Sequence, residues 1–214
     1  MTRFVNKTSF LVIAILAAIF LSPTCAGAQN LVSNGGFEAY SGTGASNIGM
    51  GLDSWTISGP GIDIVHPGLP YYWQPAEGLT SISLNWPGPS SISQTITTVP
   101  GHTYTLGFYM AAEIFGGIAE RNMDVLWNSG TVAQPAFIYT GQTANSMGWV
   151  YHSYTVQGTG SDALTFSSTT PGNYGPALDG VSLTDISVPE PGGLVLLLGG
   201  LAPLLIGRGR RRRG

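Results

Sequence analysis

From Thr103 to Met110 every second residue is large and apolar: Tyr104, Leu106, Phe108 and Met110 fall on one side, and Thr103, Thr105, Gly107 and Tyr109 on the other. Period two is the mark of a strand with one face in a core. Shorter runs with strand character recur at Ser54 to Ser58, Ile62 to Val65, Thr80 to Trp86, Ser90 to Thr97, Asn122 to Trp127, Trp149 to Val156, Ala163 to Ser167 and Ala177 to Leu183. No long 3.6-residue period occurs away from the two ends of the chain. Nine short strands separated by turn residues predict an all-β fold, an antiparallel jelly-roll β-sandwich. Ser90 to Thr97 is the expected hairpin partner of Thr103 to Met110, joined by Val99-Pro100-Gly101-His102. Ser41 to Gly51 and Pro67 to Glu77 read as long surface loops. Trp55, Trp86, Trp127 and Trp149 are expected in the core.

The ends follow different rules. Arg3 and Lys7 precede an apolar run from Phe10 to Leu21, and Ala26-Gly27-Ala28 forms a small-residue cleavage site, so residues 1–28 predict a signal helix cut between Ala28 and Gln29 by way of the Sec export machinery. Cys25, the only cysteine, lies before that cut. The exported part is then without disulfides, thiolate metal sites or a cysteine nucleophile, and its core alone must hold it. At the other end Val188-Pro189-Glu190-Pro191 precedes an apolar run from Gly192 to Ile206 and then Arg208, Arg210, Arg211, Arg212 and Arg213. Prolines keep the acidic motif out of a helix or central strand, and therefore accessible. The arginines mark a membrane stop with the preceding residues outside. As a helix, residues 194–206 would cover roughly 20 Å against a hydrocarbon core of about 30 Å, which suits a transient anchor.

Residues 188–214 resemble a PEP-CTERM sorting signal. The resemblance implies that an exosortase-type enzyme cuts near Pro189-Glu190-Pro191 while the chain sits in the inner membrane, and passes the product to the cell surface or extracellular matrix, as in a biofilm. The chain would be the substrate of that enzyme. The organisation expected is thus 1–28 signal peptide, 29–187 β-sandwich and 188–214 sorting signal with a short transmembrane helix.

Setting the two labels aside changes the charge. Arg121 is the only Lys or Arg between Gln29 and Ser187, against ten acidic residues, a net charge of −9. Nucleic acid as a partner is excluded, because phosphate neutralisation needs clustered Lys and Arg. Without lysine there is no Schiff-base chemistry or Walker-type phosphate site. Cations and neutral glycans remain. About 160 residues suffice for one core.

Within this region Leu31-Val32-Ser33-Asn34-Gly35-Gly36-Phe37-Glu38, Trp55-Thr56-Ile57, Ser91-Ile92-Ser93-Gln94-Thr95 with Pro100-Gly101-His102-Thr103-Tyr104, and Gly175-Pro176-Ala177-Leu178-Asp179-Gly180-Val181 form an ordered set. The set is similar to the choice-of-anchor C group, which belongs with galactose-binding-like domains that include a plant cell-wall family of unknown function and several carbohydrate-binding modules. The resemblance implies a structural calcium held by Glu38 and Asp179; Gly180 departs from the family, where a second Asp or Asn is common. The other reading is that both acids bond loop amides.

Exposed aromatic rings hold sugars by covering the apolar C–H face of a pyranose. Tyr71, Tyr72 and Trp73, between Pro70 and Pro75, are the candidate glycan-binding residues, either as a platform or as part of a loop folded over the sandwich edge. Catalysis finds no support: no Gly-x-Ser-x-Gly, no His-Glu-x-x-His, and His66, His102 and His152 lack ligand spacing. Glu120 and Arg121 read as a local ion pair. The function expected is a non-catalytic surface protein that contacts exopolysaccharide; the alternatives are a structural matrix protein assembling by self-association or calcium, and an acidic glycan hydrolase with two convergent carboxylates.

Overall fold

A computed structural model describes residues 29–41 and 51–187. The expected signal helix, the sorting motif with its membrane stop, and most of the Ser41 to Gly51 loop lie outside these residues. The described residues form thirteen strands: β1 (Tyr40–Ser41), β2 (Gly51–Leu52), β3 (Thr56–Ser58), β4 (Asp63–Val65), β5 (Ser81–Ser83), β6 (Ser91–Thr97), β7 (Thr103–Ala112), β8 (Glu120–Trp127), β9 (Gly130–Ala133), β10 (Ala136–Ile138), β11 (Val150–Gln157), β12 (Ser161–Ser168) and β13 (Pro176–Asp185). All nine expected strands occur. The short ones were missed: β1, β2, β9 and β10 have two to four residues each, too few for a period to show.

The strands form an antiparallel sandwich. One sheet runs β10-β8-β12-β6-β3, with β9 also on β8, and the other runs β11-β7-β13-β5-β4. This corrects the expected hairpin. β6 pairs with β12 and β3, whereas β7 pairs with β11 and β13, so the turn between them crosses from one sheet to the other. The reason is packing: Ile92 and Ile96 on β6 and Leu106 and Phe108 on β7 all point into the core, which strands of opposite layers allow. The crossing turn is held by Gly158, whose carbonyl accepts from Gly101 N–H at 2.9 Å and whose N–H donates to the His102 carbonyl at 2.9 Å.

Phe108 of one layer meets Phe166 of the other edge-on at 5.1 Å, and Trp55 and Phe37 continue the aromatic stack. Trp55 and Trp127 lie in the core as expected, while Trp86 and Trp149 are half-buried at its rim. Every described core residue falls between Val32 and Leu183. The two ends of this span are tied together by Leu31 N–H donating to the Leu183 carbonyl at 2.9 Å and by the Asn30 side chain, which bonds Leu183 N–H at 2.9 Å and the Val181 carbonyl at 3.1 Å. The described core thus closes on itself between these two ends.

On β13 the register shifts between Asp179 and Ser182. Gly180 sits in that bulge with φ +57°, a conformation that favours glycine. It is the position where the family resemblance expected Asp or Asn.

Candidate functional site

Alternation gives the five-stranded sheet two faces. Ile64, Ile82, Leu178 and Met110 stand opposite one another on the core face. The outer face carries Asp63, Ser83, Ala177 and Ala111, followed along the strands by Ser81, Asp179, Tyr109 and Glu113. This outer face has a covered half and an open half.

The cover is the segment 66–80. The Trp73 indole is 1% exposed and donates to Ser81 Oγ at 2.9 Å, packing on Phe115 at 5.9 Å between ring centroids. Of the two readings, platform or loop folded over the sandwich edge, Trp73 takes the second: an indole with an apolar ring and one donor finds both a hydrophobic surface and an acceptor on the sheet. Tyr71 and Tyr72 are half-buried beside it. Gln74 completes the attachment, its N–H donating to the Ala144 carbonyl at 2.7 Å and its carbonyl accepting from the Trp149 indole at 2.9 Å.

Glu38 and Asp179 fasten the same segment. Glu38 Oε1 accepts from Leu79 N–H at 2.7 Å and Thr80 N–H at 3.0 Å, and Oε2 from the Thr80 hydroxyl at 3.2 Å. Asp179 Oδ2 accepts from Ala76 N–H at 2.7 Å and Glu77 N–H at 3.0 Å, and Oδ1 from Gly180 N–H at 2.7 Å. Burial pushes the Asp179 carboxyl up to about 7 against the pull of these amides, and the Glu77 charge adds to the rise. Calcium needs carbonyl, carboxylate and water oxygens, yet the segment turns hydrogen-bond donors toward both carboxylates. Among the described residues no three His, Cys, Asp or Glu side chains are grouped to hold a metal ion. The two acids fit amide anchoring and do not fit the expected calcium.

Toward the loop end of β7 lies a second acidic group. Glu113 accepts from the Ser83 hydroxyl at 2.8 Å and Gly175 N–H at 3.4 Å. Burial pushes its carboxyl up to about 7; the Asp63 charge adds to this, and Ser83, Gly175 and Arg121 oppose it. Burial likewise pushes Asp63 up to about 6. Both are buried, not set facing a cleft as the hydrolase alternative requires. Arg121 is 1% exposed, and one guanidinium nitrogen donates to the Glu113 carbonyl at 3.2 Å and to the Gly116 carbonyl. The ion pair expected with Glu120 does not form, because adjacent residues of β8 face opposite sides and Glu120 is exposed.

The open half is built by β7 and β11. Tyr109 and Tyr151 stand directly opposite each other with ring centroids 5.0 Å apart, and Tyr151 is 51% exposed. Gly107 allows this ring to lie down: a Cβ there would stand 2.1 Å from the Tyr151 hydroxyl. Gly180 performs the same service for Tyr109 and Glu77, whose ring and carboxyl lie 2.9 and 3.3 Å from the place a Cβ would take. Ser182, opposite Gly107, and Thr105, opposite Thr184, add hydroxyls to the rim. The result is an aromatic patch of two rings inclined at 57° to each other, edged by hydroxyls and one carboxylate. The sequence placed Tyr109 on the polar side of its strand, but which residue stood beside it depended on the β7–β11 register, which no local pattern carries.

A family profile described as "Protein of unknown function (DUF642)" matches residues 30–184. No curated protein matches the chain. Among solved structures, the chain is similar to a CBM22-1 xylan-binding domain from Paenibacillus barcinonensis, at 16% identity and TM-score 0.48, over 76% of this chain and 97% of that one. It is also similar to TmCBM61, solved in complex with β-1,4-galactotriose, at 18% identity and TM-score 0.47, over 73% and 99%. A third similarity is to a CBM35 from Paenibacillus barcinonensis, at 22% identity and TM-score 0.42, over 62% and 93%.

Proposed function

The chain belongs to the DUF642 family, and for this member we propose a non-catalytic β-sandwich that binds a neutral polysaccharide outside the cell. The observation that carries the proposal is the Tyr109–Tyr151 pair, two rings inclined at 57° on the outer face, with room left for them by Gly107 and Gly180. A flat ring covers the C–H face of a sugar, and the Ser182 and Thr105 hydroxyls and the Glu77 carboxylate beside it can meet sugar hydroxyls. The charge of −9 between Gln29 and Ser187 disfavours acidic polymers and leaves neutral ones. No cofactor is proposed, since amides serve Glu38 and Asp179. Export through residues 1–28, and release by an exosortase-type cut near Pro189-Glu190-Pro191, belong to the same proposal and rest on the sequence of the two ends.

The test is a neutral-glycan array probed with residues 29–187, followed by titration of the best glycan against Tyr151→Ala. Loss of one stacked ring is expected to weaken binding about tenfold, since such a contact is worth about 1 kcal/mol or more. No retention of any glycan, or equal affinity for the variant, would refute the proposal. Intact mass of the secreted product tests the handling: a species from Gln29 to near Pro189 is expected, and a retained arginine tail would overturn it.

A further inference from the structure

Sheet edges are the exposed main chain of a β protein, and three of the four edges here are short. β3 and β4 have three residues each, and the edge beyond β8 is divided between β9 with four and β10 with three; short edges are themselves a defence against pairing with another chain. β11 is different. It has eight residues, Val150-Tyr151-His152-Ser153-Tyr154-Thr155-Val156-Gln157, and pairs with β7 in unbroken register from Val150 opposite Met110 to Gln157 opposite Thr103. It carries no proline, lysine, bulge or charge, the devices that normally blunt an edge. Its one imidazole, His152, is stacked on Phe108 at 5.3 Å, and burial pushes that ring's pKa down, toward the uncharged form. Among the described residues, no loop or side chain hydrogen-bonds the main chain of residues 150–156; Gln157 alone is capped, its carbonyl accepting from the Trp127 indole at 2.8 Å.

We propose that β11 is the pairing surface for a second copy of this chain, joined antiparallel so that two five-stranded sheets become one of ten strands. The occupant must itself offer an uncharged, unblunted edge of matching length, and the β11 of a second copy is such an edge. Two domains of −9 repel, and they can meet only where neither is charged; β11 supplies eight consecutive neutral residues. Side-chain parity then restricts the register. Opposed residues of an antiparallel pair must share a face, so a two-fold axis normal to the sheet has to pass through a residue of β11. With the axis at Ser153, seven residues from Val150 to Val156 are matched. Tyr151 then stands opposite Thr155 of the second copy and His152 opposite Tyr154. Both Tyr151 rings lie on the same outer face, about 14 Å apart from four residues at about 3.4 Å each. This inference does not depend on glycan binding, although it would align two such patches along one polymer.

The test is sedimentation of residues 29–187 across the micromolar range, with variants whose fold is checked by circular dichroism. A dimer is expected for the unaltered domain, strengthened by added salt, and a monomer for Ser153→Lys, which sets two like charges face to face; Thr155→Glu serves if that variant misfolds. Because residues 29–187 contain no cysteine, Ser153→Cys supplies a sole thiol at the axis and is expected to form a disulfide-linked dimer under mild oxidation, while Ser58→Cys on β3 is not. A monomer throughout the range, a dimer indifferent to Ser153→Lys, or equal cross-linking from both cysteine variants would each overturn the pairing. Glycan retention is scored separately and can fail or succeed without it.

Discussion

Glu113 is an acid that the fold would rather keep protonated, and replacing it with glutamine is expected to stabilise the protein above neutrality. The glutamine retains an oxygen for the Ser83 hydroxyl and Gly175 N–H, so the exchange removes chiefly the buried charge. The carboxyl moves from an ordinary 4.5 to about 7 on folding, mainly through burial. The folded chain thus holds its proton more tightly than the unfolded one, and stability falls as pH rises from about 4.5 to about 7. At about 1.4 kcal/mol per pH unit the full penalty at pH 8 is about 3 kcal/mol, of which side-chain relaxation leaves about 1 to 3. For a domain of this size that corresponds to about 3 to 10 °C in Tm. Urea unfolding of Glu113→Gln and the unaltered domain at pH 5 and pH 8 measures it. The buried Asp63 and Asp179 are present in both proteins and cancel to first order. A gain at pH 8 that vanishes at pH 5 is expected; an equal loss at both values would refute the reasoning, because it would mean that the carboxylate's bonds outweigh its burial.

Trp73→Ala is expected to cost about 3–5 kcal/mol by chemical denaturation, as for a buried aromatic; a cost below about 1 kcal/mol with loss of glycan binding would restore Trp73 as a platform residue. Asp162→Ala strands the Thr98 hydroxyl, the Thr159 N–H and hydroxyl, and the Asn128 amide, for an expected loss of about 2 kcal/mol. Although burial pushes the Asp162 carboxyl up, these donors hold it at about 2, so its contribution is present above about pH 4, the unfolded value, and is lost as pH falls toward 2; the variant's own acid titration is expected to be flatter in that window. Calcium is expected to leave Tm within about 1 °C, because amide hydrogens already serve Glu38 and Asp179; a rise that chelator reverses would show an ion displacing them.

The strands were legible because a half-buried strand writes its faces into alternate residues, as Tyr104, Leu106, Phe108 and Met110 do. Pairing was not, because Ile92 and Leu106 read alike whether they sit in one sheet or face each other across the core. Tyr71 to Trp73 drew attention as aromatics among prolines, yet whether the indole points out or in turned on Ser81, an unremarkable serine eight residues later. Tyr151 was concealed in the same way, since its exposure and its partner Tyr109 depend on a register set across about 40 residues. Glu113 lies beyond the alternating run from Thr103 to Met110, but β7 runs to Ala112, two residues past Met110, and carries it onto the outer face.

The tie between Leu31 and Leu183 brings both exits of the domain to one end of the sandwich, beside Gln157 and away from Val150. An antiparallel partner on β11 presents that end in the opposite direction. If the proposed C-terminal segment holds two copies in one membrane with these ends facing it, the pairing is opposed, whereas detached copies, or copies on two facing cells, are free to adopt it. Under that proposal pairing would begin only after the tether is cut, so that the paired form exists away from the surface that made it.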